Sequence, residues 1–160
     1  MKSFRKGNVV VFSNNLYYQT DHARQIAHAL KSSDADAVAI AATAIRNTLP
    51  SWDNVAIVPI PSHLGYATYT LELAKAIGQG HVFDILRGAE RETLYDLKYR
   101  GMTVTPNDLG FYTIGSIPQD MNVVFVDNVV ATGTTAMAAL EAVGRGFVVP
   151  FAIDEKAFKE

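Results

Sequence analysis

Cysteine is absent from the 160 residues. That excludes disulfides, thiolate metal sites and a thiol nucleophile, and it suits a reducing compartment. A charge excess is missing too: 14 basic residues stand against 16 acidic ones, a net charge of −2, so no broad cationic surface invites nucleic acid or anionic lipid. No apolar stretch approaches the roughly 20 residues of a membrane span. The basic start, residues 1–7, is followed only by Val9, Val10, Val11 and Phe12, too short a run for the core of a signal peptide. No spaced cluster of His and carboxylates offers a protein-held metal site, and no repeat or low-complexity tract is evident. The chain therefore reads as cytoplasmic, with neither nucleic acid nor membrane as partner.

With 49% hydrophobic residues the chain is long enough for one well-buried domain, residues 1–160, and short for two. Strands are predicted at Val9 to Phe12, Val55 to Val58, Val82 to Leu86, Val123 to Val126 and Phe147 to Ile153, with a further one near Phe111 to Ile114. Pro150 argues that the last of them is an edge strand or bulged. Helices are predicted over residues 21–31 with Thr20 as N-cap, 35–48 stopped by Leu49 and Pro50, 69–77 capped by Gly78, and 136–143 stopped by Gly144. Strands alternating with helices mean an α/β fold with a mostly parallel sheet. Residues 89–107 are polar and weakly periodic, as functional loops often are. The tail, residues 154–160, reads as charged and mostly a solvated end.

One segment carries chemistry. Val123, Val124, Phe125 and Val126 lead into Asp127 and Asn128, then Val129 and Val130, then Ala131, Thr132, Gly133, Thr134 and Thr135 at the start of a helix. A buried strand of this kind places Asp127 at the carboxyl edge of the sheet, where ligands collect. The free amides of the first helical turn and the positive end of its dipole favour an anion. Gly133 permits close approach, and the threonines add hydroxyls. The loop lacks the lysine of a Walker-type P-loop and the glycine spacing of a dinucleotide fingerprint, so a monophosphate is the better fit. The alternative is a plain strand-turn-helix whose threonines merely cap the helix.

This run resembles the phosphoribosyl-diphosphate (PRPP) signature of the type I phosphoribosyltransferases. The order of Tyr17 to Lys31, Asp34 to Ile45 and Val55 to His63, ending in Pro59, Ile60, Pro61, Ser62 and His63, is similar to the ComF-like (competence protein) branch. The resemblance covers residues 17–153 and implies a Rossmann-like core with a small variable hood. It implies that Asp127 and Asn128 face the ribose hydroxyls and that Ala131, Thr132, Gly133, Thr134 and Thr135 cradle the 5′-phosphate. Ser62, His63, Leu64 and Gly65 take the place of the diphosphate loop, whose backbone N–H groups contact the diphosphate in the family. Asn128 stands where the family usually has a second carboxylate, and the arginines that ComF-like relatives carry after the matching histidine are absent.

The implied activity is transfer of the 5-phosphoribosyl group from PRPP to a nitrogen nucleophile, or the reverse, with magnesium carried by the diphosphate. Asp127 would stabilise the oxocarbenium-like transition state, and Arg87, at the end of its predicted strand, would neutralise the leaving group. Arg91, Lys98 and Arg100 lie on the loop that relatives close as a lid. Trp52, Tyr66 and Tyr69 are aromatics that could stack on a base, with ordinary packing as the alternative. A non-catalytic module that senses PRPP or a nucleotide is the other reading of the same residues, and a homodimer is the expected assembly if relatives are a guide.

Overall fold

The computed structural model describes residues 1–159. Its main sheet is built from β1 (Lys2–Lys6), β2 (Val9–Ser13), β3 (Asn15–Leu16), β4 (Val55–Pro59), β5 (His81–Val82), β8 (Asn122–Val130) and β9 (Phe147–Ile153). The order is β1-β2-β9-β8-β4-β5, with β3 also pairing β9. Every pairing is parallel except β1 with β2. The α/β class with a mostly parallel sheet is thus observed.

Helices α1 (Asp21–Leu30), α2 (Ala35–Arg46) and α3 (Tyr69–Ala76) cover one face, and α5 (Thr134–Val143) covers the other. Each face has its own core. Ile26, Leu30, Ile45, Leu73 and Ile77 pack on Ile57, Val124, Val126 and Val149, whereas Ala136 and Ala139 meet Val11, Phe125 and Val148. The first two helices start where their caps dictate: the Thr20 hydroxyl accepts from the Ala23 N–H and the Asp34 carboxylate from that of Ala37. Gly144, at φ +91°, ends α5 as glycine can in the left-handed region. Among the described residues no helix is long and apolar enough to cross a membrane.

Several expectations are corrected. The segment 82–86 is not one strand: β5 stops at Val82, and Leu86 begins β6 (Leu86–Arg87), which pairs antiparallel with β7 (Tyr112–Thr113) in a separate two-stranded sheet. Asp84 lies between them and cannot join a buried ladder cheaply. Residues 89–107 are not simply loop, since they hold α4 (Leu94–Tyr99) and the start of a 3₁₀ turn at Pro106–Leu109. Helix α2 ends at Arg46, two residues before the predicted limit.

Pro150 lies in an interior strand, not at an edge. It is tolerated because its neighbour breaks beside it, β2 ending at Ser13 and β3 starting at Asn15. The register runs Val11↔Val148 and Asn15↔Ala152 with no residue inserted, so this is a gap in pairing rather than a bulge. The Ser13 hydroxyl fills the gap by donating to the Phe151 carbonyl at 3.1 Å. The tail is not merely solvated either: the Asp154 carboxylate accepts from the Lys156 and Ala157 N–H groups, and the turn so formed buries Phe158 to 5% exposure.

Candidate functional site

Strand β8 does not end at Asp127. It continues to Val130 beside β9, while β4 stops at Pro59 opposite Val126. Asp127 is therefore the first residue of β8 to run past its shorter neighbour. The side-chain alternation also breaks here. Val124 and Val126 belong to the α1–α3 core and Val123 and Phe125 to the α5 core, so period two would send Val129 to the second and Val130 to the first. The reverse is found. The Asp127 carboxylate sits at this break and accepts from the N–H of Asn128 at 2.7 Å.

Asp127 and Asn128 are 7% and 6% exposed. No fully buried side-chain oxygen or nitrogen among the described residues lacks a partner, and neither the second Asp127 oxygen nor the Asn128 amide has one among those residues. Those atoms therefore keep contact with solvent. Burial raises the Asp127 carboxyl from 3.8 to about 7, against the opposing pull of the Asn128 N–H and the Lys31 ammonium.

Three positions beyond the end of that pair, the threonine loop opens α5. Gly133 is the N-cap residue at φ +89°, no side chain caps the helix, and the first helical bond is donated by Met137 to the Gly133 carbonyl at 2.8 Å. The Thr132 and Thr134 hydroxyls bond each other at 3.0 Å instead of the helix. So the threonines do not serve as caps. The amides of Gly133, Thr134, Thr135 and Ala136 have no acceptor among the described residues, which is the donor set an anion requires. Ala131 and Thr132 are exposed, and Thr134 and Thr135 half-buried.

The predicted diphosphate loop is folded differently from a donor cradle. Ser62 N–H donates to the Tyr66 carbonyl, Leu64 N–H to the Ser62 hydroxyl and Gly65 N–H to the Ser62 carbonyl, leaving only that of His63 unspent. Its shape is fixed by Gly65, whose φ of +92° and contact with the Gly88 carbonyl leave no room for a side chain. Gly88 N–H in turn donates to the Gly65 carbonyl, and Arg91 N–H to that of His63, at 2.9 and 2.8 Å. The start of the segment expected to act as a lid is thereby tied to the loop.

No family model and no curated protein matches this chain. Its geometry alone sorts the cations. Arg87 does not tip a main-sheet strand: it lies in β6, and its guanidinium donates to the Asp84 carboxylate and carbonyl and to the Leu86 carbonyl. Much of its charge is spent there. Arg100 pairs with Glu92, and Lys98 is exposed on α4, which buries no residue. Arg91 is half-buried and differs from both. Burial lowers its pKa, the Tyr69 phenol raises it back in part, and Tyr69 is itself pushed well above its ordinary value by burial and by the Asp127 carboxylate. Tyr69 thus feels both the Asp127 carboxylate and the Arg91 guanidinium.

Tyr69 opens α3, whereas Trp52 is core, 3% exposed, with its indole N–H donating to the Arg46 carbonyl at the end of α2. Tyr66 is half exposed. Two participants escaped the sequence reading. Lys6 Nζ donates to the Thr132 carbonyl at 2.9 Å. The Phe158 ring closes the side of Gly133 from which a Cβ would project, at 3.1 Å. Neither has a local signal, because both reach the loop from the far ends of the chain.

Proposed function

We propose that this chain binds PRPP and transfers its 5-phosphoribosyl group to a nitrogen nucleophile, releasing diphosphate. What supports the reading most is the uncapped start of α5, a set of unspent amides at a left-handed glycine, beside a buried acid that keeps one oxygen in touch with solvent. The amides would hold the 5′-phosphate, and Asp127 and Asn128 the ribose hydroxyls. In the reaction the nitrogen lone pair forms the bond to C1 as the C1–O bond breaks, the diphosphate leaves with that electron pair, and the nitrogen then gives up its proton. Positive charge develops on the sugar ring at C1, where the Asp127 carboxylate stabilises it electrostatically.

Arg91 is the cation best placed for the departing diphosphate, since its N–H ties it to the His63 loop and its guanidinium donates only to the Glu92 carbonyl, with no ion-pair partner among the described residues. Arg87 would need to leave Asp84 first. Magnesium enters as part of the substrate. Among the described residues no group of three or more His, Asp or Glu side chains forms a cage for an ion.

A second reading, binding without turnover, draws support from the spent amides of residues 62, 64 and 65 and from Asn128 in place of a second acid. Calorimetric titration with magnesium PRPP, followed by diphosphate-release assays over a panel of nucleobases and amines, decides between them. Binding with release supports the transferase, and binding without release the sensor. No binding at all refutes both.

A further inference from the structure

The strand β1 takes no part in the reading above, yet its last residue ends on the threonine loop. Lys6 donates to the Thr132 carbonyl at 2.9 Å, and its Cδ lies 3.9 Å from the point where a Cβ on Gly133 would stand. No carboxylate among the described residues is within ion-pair distance of its ammonium. An ammonium has three N–H donors, so two remain after the carbonyl is served. The strand that carries it is firmly placed. It pairs with β2 from Lys2↔Ser13 through Lys6↔Val9, and Phe4 meets the Phe158 ring edge-on, with centroids 6.4 Å apart. Phe158 in turn lies against Gly133.

A helix N-terminus offers an anion only about half a unit of positive charge. A phosphate monoester carries nearly two negative charges at neutral pH, and the loop itself contains no cation. Lys6 brings a full positive charge to the loop. Asn128, 6% exposed and with a side-chain amide that bonds no described residue, leaves polar capacity for a ligand three positions before the loop.

We propose that Lys6 is a phosphate-binding residue of this site, its ammonium anchored on the Thr132 carbonyl and completing, with the amides of residues 133–136, a pocket for the dianion of a phosphate monoester. The location rests on the phosphoribosyl reading; the residue and the preference for a dianion go beyond it.

The test is calorimetric titration of the full chain with ribose 5-phosphate, and with ribose as the uncharged control, for the unaltered protein and for Lys6→Met, Lys6→Gln, Lys6→Arg and Lys2→Met. Lys6→Gln keeps a donor for the Thr132 carbonyl and loses only the charge. Lys2→Met removes the same charge from the far end of the same strand. Loss of a charge-assisted bond predicts about tenfold or greater weakening of ribose 5-phosphate binding in Lys6→Met and Lys6→Gln, with a shallower salt dependence. Lys6→Arg and Lys2→Met should stay within about threefold of the unaltered protein. If Lys6→Met melts early, Lys6→Gln carries the comparison. Unchanged affinity in Lys6→Gln, or equal loss in Lys2→Met, overturns the role of Lys6 while leaving the loop as the phosphate site. Failure of the unaltered protein to bind either ribose 5-phosphate or PRPP removes the phosphoribosyl reading itself, and Lys6 with it.

Discussion

Replacing Asp127 by Asn should make the protein more stable relative to the unaltered chain as pH rises from about 4 to about 7. The amide keeps the shape of the carboxyl and an oxygen that can accept from the Asn128 N–H, but it cannot ionise. In the unaltered protein burial raises the carboxyl from 3.8 to about 7. Between those values the unfolded chain has released a proton that the folded chain retains. The contribution of this acid to stability is therefore complete below about pH 4 and is lost progressively up to about pH 7, the reverse of a carboxylate held in an ion pair. At about 1.4 kcal/mol per unit, three units give a ceiling of about 4 kcal/mol. Water at the free oxygen lowers that to about 2–4 kcal/mol. Urea unfolding of both proteins at steps across this range gives the difference directly, and any constant cost of seating the amide drops out of the slope. A difference that stays flat, or that favours the unaltered chain as pH rises, would refute the buried-acid geometry. Lys31 and Tyr69 are the charged and titratable groups coupled to Asp127. For the same reason PRPP turnover should increase as pH passes upward through about 7, because only the ionised carboxyl stabilises a cationic sugar.

Gly133→Ala should cost about 1–3 kcal/mol and abolish phosphate binding, since its Cβ would combine left-handed strain with a 3.1 Å contact to Phe158, while Gly144→Ala, at φ +91° in open space, should cost only about 1 kcal/mol. Thermal melting separates them, and equal losses would mean that Phe158 does not press on the loop. Thr132→Ala should leave stability within about 0.5 kcal/mol, because its hydroxyl caps nothing, whereas Thr20→Ala should lose about 1 kcal/mol with its cap. Denaturant midpoints check this, and a larger loss at Thr132 would restore a capping role. Arg91→Met should reduce diphosphate release by about tenfold or more and Arg87→Met by much less, since the latter charge is already paired with Asp84. The opposite order would return Arg87 to the leaving group.

The parts legible in the sequence were those with local causes. Thr20 and Asp34 accept from amides three residues on, and Gly144 stops its helix in the conformation only glycine adopts cheaply. The run from Val123 to Val126 could be buried only as a central strand. What stayed hidden depended on distant partners. Strand β1 has one apolar residue, Phe4, in five, and becomes a strand because β2 offers it an edge. Pro150 enters the interior only because Ser13 fills the gap opposite. The extension of β8 through Asp127 to Val130 follows from β9 continuing alongside, which no property of an acid followed by an amide would suggest. The strand, the acid and the helix start of the candidate site were legible, while Lys6 and Phe158, which contact the loop between them, come from the far ends of the chain.

The two margins of the sheet bear on how copies of this chain can meet. One margin is β1, short and lined with Lys2, Arg5 and Lys6; the other is β5, only His81 and Val82. Neither gives a neighbour enough uncharged backbone to extend the hydrogen-bonded ladder. Edge-to-edge pairing of copies is thereby disfavoured at β1 by its charged side chains and at β5 by its two-residue length.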